Sequence, residues 1–408
     1  MAFGKLWVIA YRDLGRNRRR SLLTLIAVAL GLALLIVLNG FVAGVWEDAL
    51  ENNIRLQTGH VQIRAESYEE EKLSLQWPDL LDNAAELTAR ANALSEVQAA
   101  TPVLWASSIL NTMHESVGLR IFGIEPASAV YAPIQDGLVA GAYLALEDRD
   151  VILIGKRLAD SLGVGVGQRV NLTIIGAEGR AEEGIFTIQG LFATGAPSYD
   201  DSAVFMTLSK AQAFTGASGR ASAVVIMLDQ QDDADAVAAA LETPDAVTLT
   251  WLELNQLFIQ AIATGLSFYV VMDAIVMLVV AVIIANTLLM AVFERIREMG
   301  ILAALGMKGR QIMTMFLIEA GILGLAGIAV GVVLGLAGVA YLARVGIYAG
   351  DIASTVEGIA MSTTMYARFV PDTFAWLSLW TLVIILLASL YPAWFAARLE
   401  VAEALRPS

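Results

Sequence analysis

Residues 21–45 read SLLTLIAVALGLALLIVLNGFVAGV, 25 positions without one charged side chain. At 1.5 Å rise per residue a helix of that length is roughly 37 Å long, enough to cross a bilayer with some tilt. A cleavable signal peptide has a shorter apolar core, about 7–15 residues, followed by a small-residue cleavage site. This run is therefore expected to be a retained anchor. Arg16, Arg18, Arg19 and Arg20 stand immediately before it. Lys and Arg accumulate on the cytoplasmic side of a span, which places the preceding residues in the cytoplasm.

Upstream, residues 1–20 read as a basic amphipathic helix. Phe3, Trp7, Ala10 and Leu14 fall on one face with Leu6 and Tyr11 beside them, while Lys5, Arg12 and Arg16 point elsewhere. Such a helix lies in the membrane interface or packs on its own protein. Downstream, three more apolar stretches recur at 262–293, 312–342 and 374–395. The composition agrees: of 408 residues 57% are hydrophobic and 16% charged, with a mean hydropathy of +0.66. Soluble domains hold about 45–50% apolar and about 25% charged residues.

Between the first two spans the pattern changes. From Trp46 to Gln260 there are 30 acidic and 12 basic residues, a balance of −18, against 10 and 14 elsewhere, a balance of +4. An acidic soluble part and a basic membrane part argue against a nucleic-acid partner. Strand-like runs fall at 59–64, 118–124, 151–154, 169–175, 184–192, 203–207 and 223–228, and helical runs at 80–94, 156–162 and 233–241, separated by glycine-rich turns. About 215 residues can bury a real core, and the distribution of strands around 141–176 suggests an inserted second lobe. The expected fold is an α+β membrane protein: four transmembrane helices with a large two-lobed extracytoplasmic α/β domain between the first and second. The short segment 294–311 carries four basic residues, whereas the loop 343–373 holds Asp351, Glu357, Arg368 and Asp372, with Arg344 at the outer end of the third span an exception that snorkelling tolerates. Basic short loop inside and acidic long loop outside place both termini, including the tail 396–408, in the cytoplasm.

Gly327, Gly331 and Gly335 line one face of the third span, which lets another helix approach closely, either within this chain or from a second subunit. Asp273 and Glu319 are costly in lipid and are candidates for function or for pairing, Glu319 with Arg310. Asn286 is expected to hydrogen-bond to a neighbouring helix. There is no cysteine, so thiolate metal sites are excluded. The only histidines, His60 and His114, make a poor metal site, and neither a Gly-x-Ser-x-Gly elbow nor a His-Glu-x-x-His motif occurs. No metal site and no catalytic residue are expected.

The informative segment is Glu294-Arg295-Ile296-Arg297-Glu298-Met299-Gly300-Ile301-Leu302-Ala303-Ala304-Leu305-Gly306. Physically it reads as a short amphipathic helix, with Met299, Ile301, Leu302 and Leu305 apolar and the charges displayed to solvent, suited to docking in a groove of a cytoplasmic partner. This pattern resembles the signature of the FtsX-type permeases. The C-terminal run from Tyr391 and Pro392 to Arg406 is similar to that family's closing motif. Asn39-Gly40-Phe41 and Glu51-Asn52-Asn53-Ile54 resemble the LolC and LolE lipoprotein-releasing permeases. Val151 to Ala159 with Gly163, Gly167 and Gly190-Leu191-Phe192 looks like the two-lobed, MacB-like external domain.

The resemblance implies a permease that dimerises with itself or a second permease. A separate cytoplasmic ATPase would bind Glu294, Arg295, Arg297, Glu298, Met299, Gly300, Leu305 and Gly306. ATP-driven closure would be relayed to the external domain by mechanotransmission. No Gly-x-x-x-x-Gly-Lys-Ser/Thr occurs, so ATP and Mg²⁺ are expected on the partner and no cofactor on this chain. The leading expectation is extraction of lipoproteins from the inner membrane towards a periplasmic carrier or adaptor. Leu38, Phe41 and Val45 with Ile262, Leu266 and Tyr269 would line the acyl-chain entrance. The alternatives are MacB-like export of small molecules or peptides, and FtsX-like activation of a cell-wall hydrolase.

Overall fold

The computed structural model describes residues 18–69, 72–112, 115–350 and 359–398, without the side chains of 302 and 303. The expected helix at 1–20 and the tail motif beyond 398 lie almost wholly outside the described residues, as does His114. The chain divides into two compact units. One gathers residues up to Val45 with Ala261–Ile347 and Tyr366 onward; the other comprises Trp46–Gln260 and Tyr348–Met365.

In chain order the elements used below are α1 (Arg18–Asn53), β1 (Val61–Arg64), α2 (Ala84–Ala91), β2 (Val97–Asn111), β3 (Ser116–Ile124), β4 (Leu138–Gly141), β5 (Val151–Gly155), α3 (Lys156–Leu162), β6 (Arg169–Ile175), β7 (Ala181–Phe192), β8 (Ala203–Thr207), α4 (Leu208–Thr215), β9 (Ala223–Leu228), α5 (Ala234–Leu241), β10 (Val247–Thr250), α6 (Gln256–Glu294), α7 (Ile296–Ala304), α8 (Gly309–Val345) and α9 (Pro371–Ala397).

Among the described residues four helices, α1, α6, α8 and α9, are long and apolar enough to cross a membrane. Each runs past its apolar core. α1 continues through Glu47, Asp48 and Glu51 because straight-chain and small polar residues cost a helix little once it is nucleated. It then loosens into π-helical turns at Ile54–Thr58, closed by Gly59 at φ +68°. Val28 of α1, Val280, Ile284 and Leu288 of α6, Ala320 of α8 and Ile385 of α9 meet in one cluster, so all four helices share a core.

The glycine stripe of α8 packs within the chain. A Cβ on Gly331 would lie 2.8 Å from the Ala29 carbonyl oxygen, and one on Gly335 would lie 2.8 Å from Ile36 Cβ. Only a residue without a side chain admits α1 at that distance, which is the packing gained by small-residue faces in lipid.

In the other unit a ten-stranded sheet runs β10-β1-β9-β2-β3-β8-β5-β7-β4, with β6 pairing to β2 and β7. β2 joins its two halves. Residues Val97–Val103 pair antiparallel to β9, and Leu104–Asn111 pair antiparallel to β3. Two buried clusters lie against the sheet, one running from Ile63, Val103 and Ile226 to Phe122, Leu153 and Phe205, the other holding Leu104, Leu110, Ile121, Ile154, Leu172 and Phe186, so β3, β5 and β8 contribute alternate residues to both.

The structure corrects two expectations here. The second half of the sheet is not an insert at 141–176; it draws on β3 and β5–β8 as well as the end of β2. The helical run expected at 80–94 shortens to α2, because Leu81 leaves it to bridge Ala221. β2 itself carries no strand signal in its sequence. It is rich in Ala and Ser, contains Pro102, and is buried continuously from Ala100 to Ala106 instead of alternating. A strand covered on both faces loses the period of two.

Candidate functional site

At the α6–α7 junction the helical path breaks between Glu294 and Ile296, and α7 ends before Gly306, whose φ is +92°. That left-handed turn favours glycine because a Cβ would crowd the carbonyl. The break rotates consecutive charges to different sides. Arg297 and Glu298 are exposed, as expected, but Arg295 is 3% exposed and turns inward.

Arg295 Nη1 stands 3.8 Å from Glu319 Oε2, and Glu319, on α8, is 1% exposed. Arg20 of α1 completes the cluster: its Nη1 donates to Glu294 Oε2 at 2.8 Å and its Nη2 lies 3.7 Å from Glu319 Oε1. Two guanidinium groups around one buried carboxylate offset a desolvation cost that neither pair would cover alone. The cluster ties the start of α7 to α1 and α8. It also corrects two readings, since Arg295 is not displayed to solvent and Glu319 pairs with Arg20 and Arg295, not with exposed Arg310.

The apolar residues of α7 also divide. Met299 and Gly300 are buried, Met299 in a cluster with Met307, Ile312, Phe316 and Ala393. Ile301 is half exposed and Leu305 is 80% exposed. The expected single apolar face thus becomes an anchor, Met299, and an outward pair, Ile301 and Leu305, flanked by Arg297 and Glu298. Leu305 has the exposure of a contact residue without a neighbour.

Farther along the bundle, Asn39 Nδ2 donates to both carboxylate oxygens of Asp273 at 3.1 Å and to the Leu35 carbonyl at 3.0 Å. Asn39, in the Asn-Gly-Phe run of α1, orients the carboxylate of α6. Asn286 faces outward instead of towards a neighbouring helix. Leu38, Phe41, Val45, Ile262 and Tyr269 are half-buried and Leu266 is exposed. Phe41 packs against the cluster of Leu32, Leu35, Ile36, Met277 and Phe374, so it contributes to the bundle core.

The extracytoplasmic unit contains a fastening that the sequence did not indicate. The loop from Thr194 to Asp201 holds three separate chain segments. Tyr199 Oη donates to the Leu56 carbonyl at 2.9 Å, in the π-helical end of α1. Ser198 Oγ donates to the Ile359 carbonyl at 2.6 Å, and the Thr363 amide donates to the Gly195 carbonyl at 3.0 Å, both in the connection between α8 and α9. Asn52 donates to Ser362 Oγ at 2.8 Å, and Asn53 donates to Asn255, just before α6. All of these bonds lie within the extracytoplasmic unit, where they join residues 52–56, Asn255 and residues 359–363 to the rest of that unit.

Asp200 braces this loop from within. Its carboxylate accepts from the Thr194 amide at 3.1 Å and from Thr194 Oγ1 at 2.7 Å. Burial pushes its carboxyl up to about 6, against the lowering effect of the Thr194 bonds. His60 Nδ1 accepts from the Leu228 amide at 3.0 Å, and burial lowers its basicity. Among the described residues no group of three His, Cys, Asp or Glu side chains is placed to hold a metal ion.

Comparison with known proteins addresses both units. The family model described as the MacB-like periplasmic core domain matches residues 21–243, and that of the FtsX-like permease C-terminal region matches 270–401. The lipoprotein-releasing system transmembrane protein LolC of Neisseria meningitidis serogroup B is 25% identical over 96% of this chain and 95% of its own length. LolC of Xylella fastidiosa (strain Temecula1) is 23% identical over 100% of this chain and 98% of its own. An ABC transporter permease of Methanocaldococcus jannaschii, MJ1507, is 28% identical over 37% of this chain and 40% of its own. Among solved structures, the periplasmic region of MacB from Actinobacillus actinomycetemcomitans is 13% identical, covering 51% of this chain and 97% of its own, with a TM-score of 0.36.

Proposed function

Since the chain belongs to the MacB-like periplasmic core domain family, with an FtsX-like permease C-terminal region, we propose that this ABC transporter permease releases lipoproteins from the bacterial inner membrane. The observation that carries the reading is the likeness to LolC proteins along the whole chain, through spans and external domain alike. A separate cytoplasmic ATPase, holding ATP and Mg²⁺, docks on α7. A second permease, identical or not, completes the assembly, with both termini cytoplasmic.

The geometry supports a division of labour. Arg297, Glu298, Ile301 and Leu305 form the docking face, while Arg295, Glu319 and Arg20 transmit its movement to α1 and α8. Salt bridges buried at a helix start resist shear because breaking one leaves an unpaired charge in a low dielectric. Within the external domain, the loop from Thr194 to Asp201 holds Leu56, Ile359 and Thr363 together. In this reading ATP-driven motion is relayed to the external domain, and a lipid-anchored cargo is lifted without passing through a channel.

Depletion of the chain tests the cargo, and affinity purification of tagged chain tests the coupling. Lipoproteins should accumulate in the inner membrane on depletion; unchanged lipoprotein distribution would end the cargo assignment. An ATPase should co-purify with the parent chain and be lost from Leu305→Asp. Recovery of equal ATPase with both would remove α7 as the docking face.

A further inference from the structure

A lateral groove of about 710 Å³ opens between α6 and α9 on the outside of the bundle. Ala274, Met277, Leu278 and Ala281 form one wall, and Leu377, Trp380 and Leu387 belong to the other. Its walls are apolar apart from Asp273. Asn39 approaches both oxygens of that carboxylate and fixes its orientation. Among the described residues no basic side chain pairs with it. A carboxylate at the edge of lipid with only an amide for company is costly, and a cation supplied from outside the chain removes that cost.

The position of the groove indicates where the cation comes from. Asp273 lies one helical turn nearer the start of α6 than Met277, which clusters with Leu377 and Phe374 in the first turns of α9. Trp376 and Trp380 are more than half exposed on those same turns, and exposed tryptophans mark the head-group level. From Leu377 to Ala388 the groove then descends about 16 Å along α9. One leaflet of hydrocarbon is about 15 Å thick, half of a core of about 30 Å. The carboxylate is at head-group depth and the apolar trough below it has the length of one leaflet.

We propose that this groove binds one phospholipid carrying a primary ammonium head group, with the ammonium on Asp273 and one acyl chain between α6 and α9. The ammonium donates to the carboxylate oxygens opposite Asn39, and no bond is made or broken. The inference rests on the assignment of the spans and not on the cargo, so it stands or falls separately from the release of lipoproteins.

Trp380 reports occupancy directly. The full chain in nanodiscs is titrated with phosphatidylethanolamine or phosphatidylglycerol bearing the same brominated acyl chains, and the signal of Trp380 is isolated by subtracting that of Trp380→Phe. Half-quenching should need roughly two- to fivefold less phosphatidylethanolamine than phosphatidylglycerol, the range of one partly screened ion pair. Asp273→Asn, checked for unchanged helix content and elution, should show equal quenching by both. Ala281→Phe, which keeps the carboxylate but fills the trough, should reduce quenching by both. Equal quenching in the parent chain would overturn the proposal, as would a preference that survives Asp273→Asn. Unchanged quenching in Ala281→Phe would place the acyl chain elsewhere and overturn it too.

Discussion

Protonation of Asp200 should tighten the Thr194–Asp201 loop of the external domain. The carboxyl is 5% exposed, and burial raises it from an ordinary 3.8 to about 6. A folded-state value above the unfolded one means that the folded loop binds the proton more tightly. Its stability is then greatest below about pH 4 and declines as pH rises through about 6, by on the order of 3 kcal/mol. In hydrogen exchange of the full chain in mild detergent, amides of the Thr194–Asp201 loop should lose protection between pH 4.5 and 7, after correction for intrinsic rates. A total change of about 3 kcal/mol corresponds to roughly a hundredfold in the opening equilibrium, most of it inside that window. In Asp200→Asn the amide oxygen can still accept from Thr194, and the slope with pH should vanish. Protection that rises with pH in the parent chain, or an unchanged slope in Asp200→Asn, would refute the reasoning.

Other substitutions probe the membrane unit and the external domain. Glu319→Ala leaves Arg20 and Arg295 around a vacated carboxylate site and should destabilise the bundle by about 3–5 kcal/mol. Thermal unfolding in detergent would register this, and Glu319→Leu combined with Arg295→Met should be less damaging than Glu319→Ala alone. Gly331→Leu drives a side chain into the Ala29 carbonyl, so separation of α1 from α8 should lower the melting temperature, at about 1–3 kcal/mol for overpacking. Tyr199→Phe removes one hydrogen bond to Leu56 and should cost about 1 kcal/mol, read as faster exchange confined to residues 54–58 and the Thr194–Asp201 loop.

The sequence by itself determined the four membrane helices and much of the external sheet. An uncharged run like 21–45 has one environment in which it is stable at full length, so hydropathy alone locates it. Strands such as β6 and β8 announce themselves through β-branched and apolar residues between turn signals. What the sequence left open depended on neighbours distant in the chain. β2 was invisible because burial on both faces erased its alternation. Whether the glycines of α8 met this chain or another was decided by α1, whose Ala29 and Ile36 lie against them.

The candidate site divides along the same line. The segment 294–306 was legible as a short helix, but not which of its charges would be buried. Arg295 and Arg297 differ by two positions, and a break in helical phase at Glu294 turned one inward and left the other in solvent. Glu319 found Arg20 and Arg295 instead of Arg310 because three helices converge there. Tyr199 reaches a carbonyl 143 residues away. Hydropathy is a sum over local residues and survives in one dimension. Pairing depends on distances that exist only after the chain has packed, and there the tertiary structure decided.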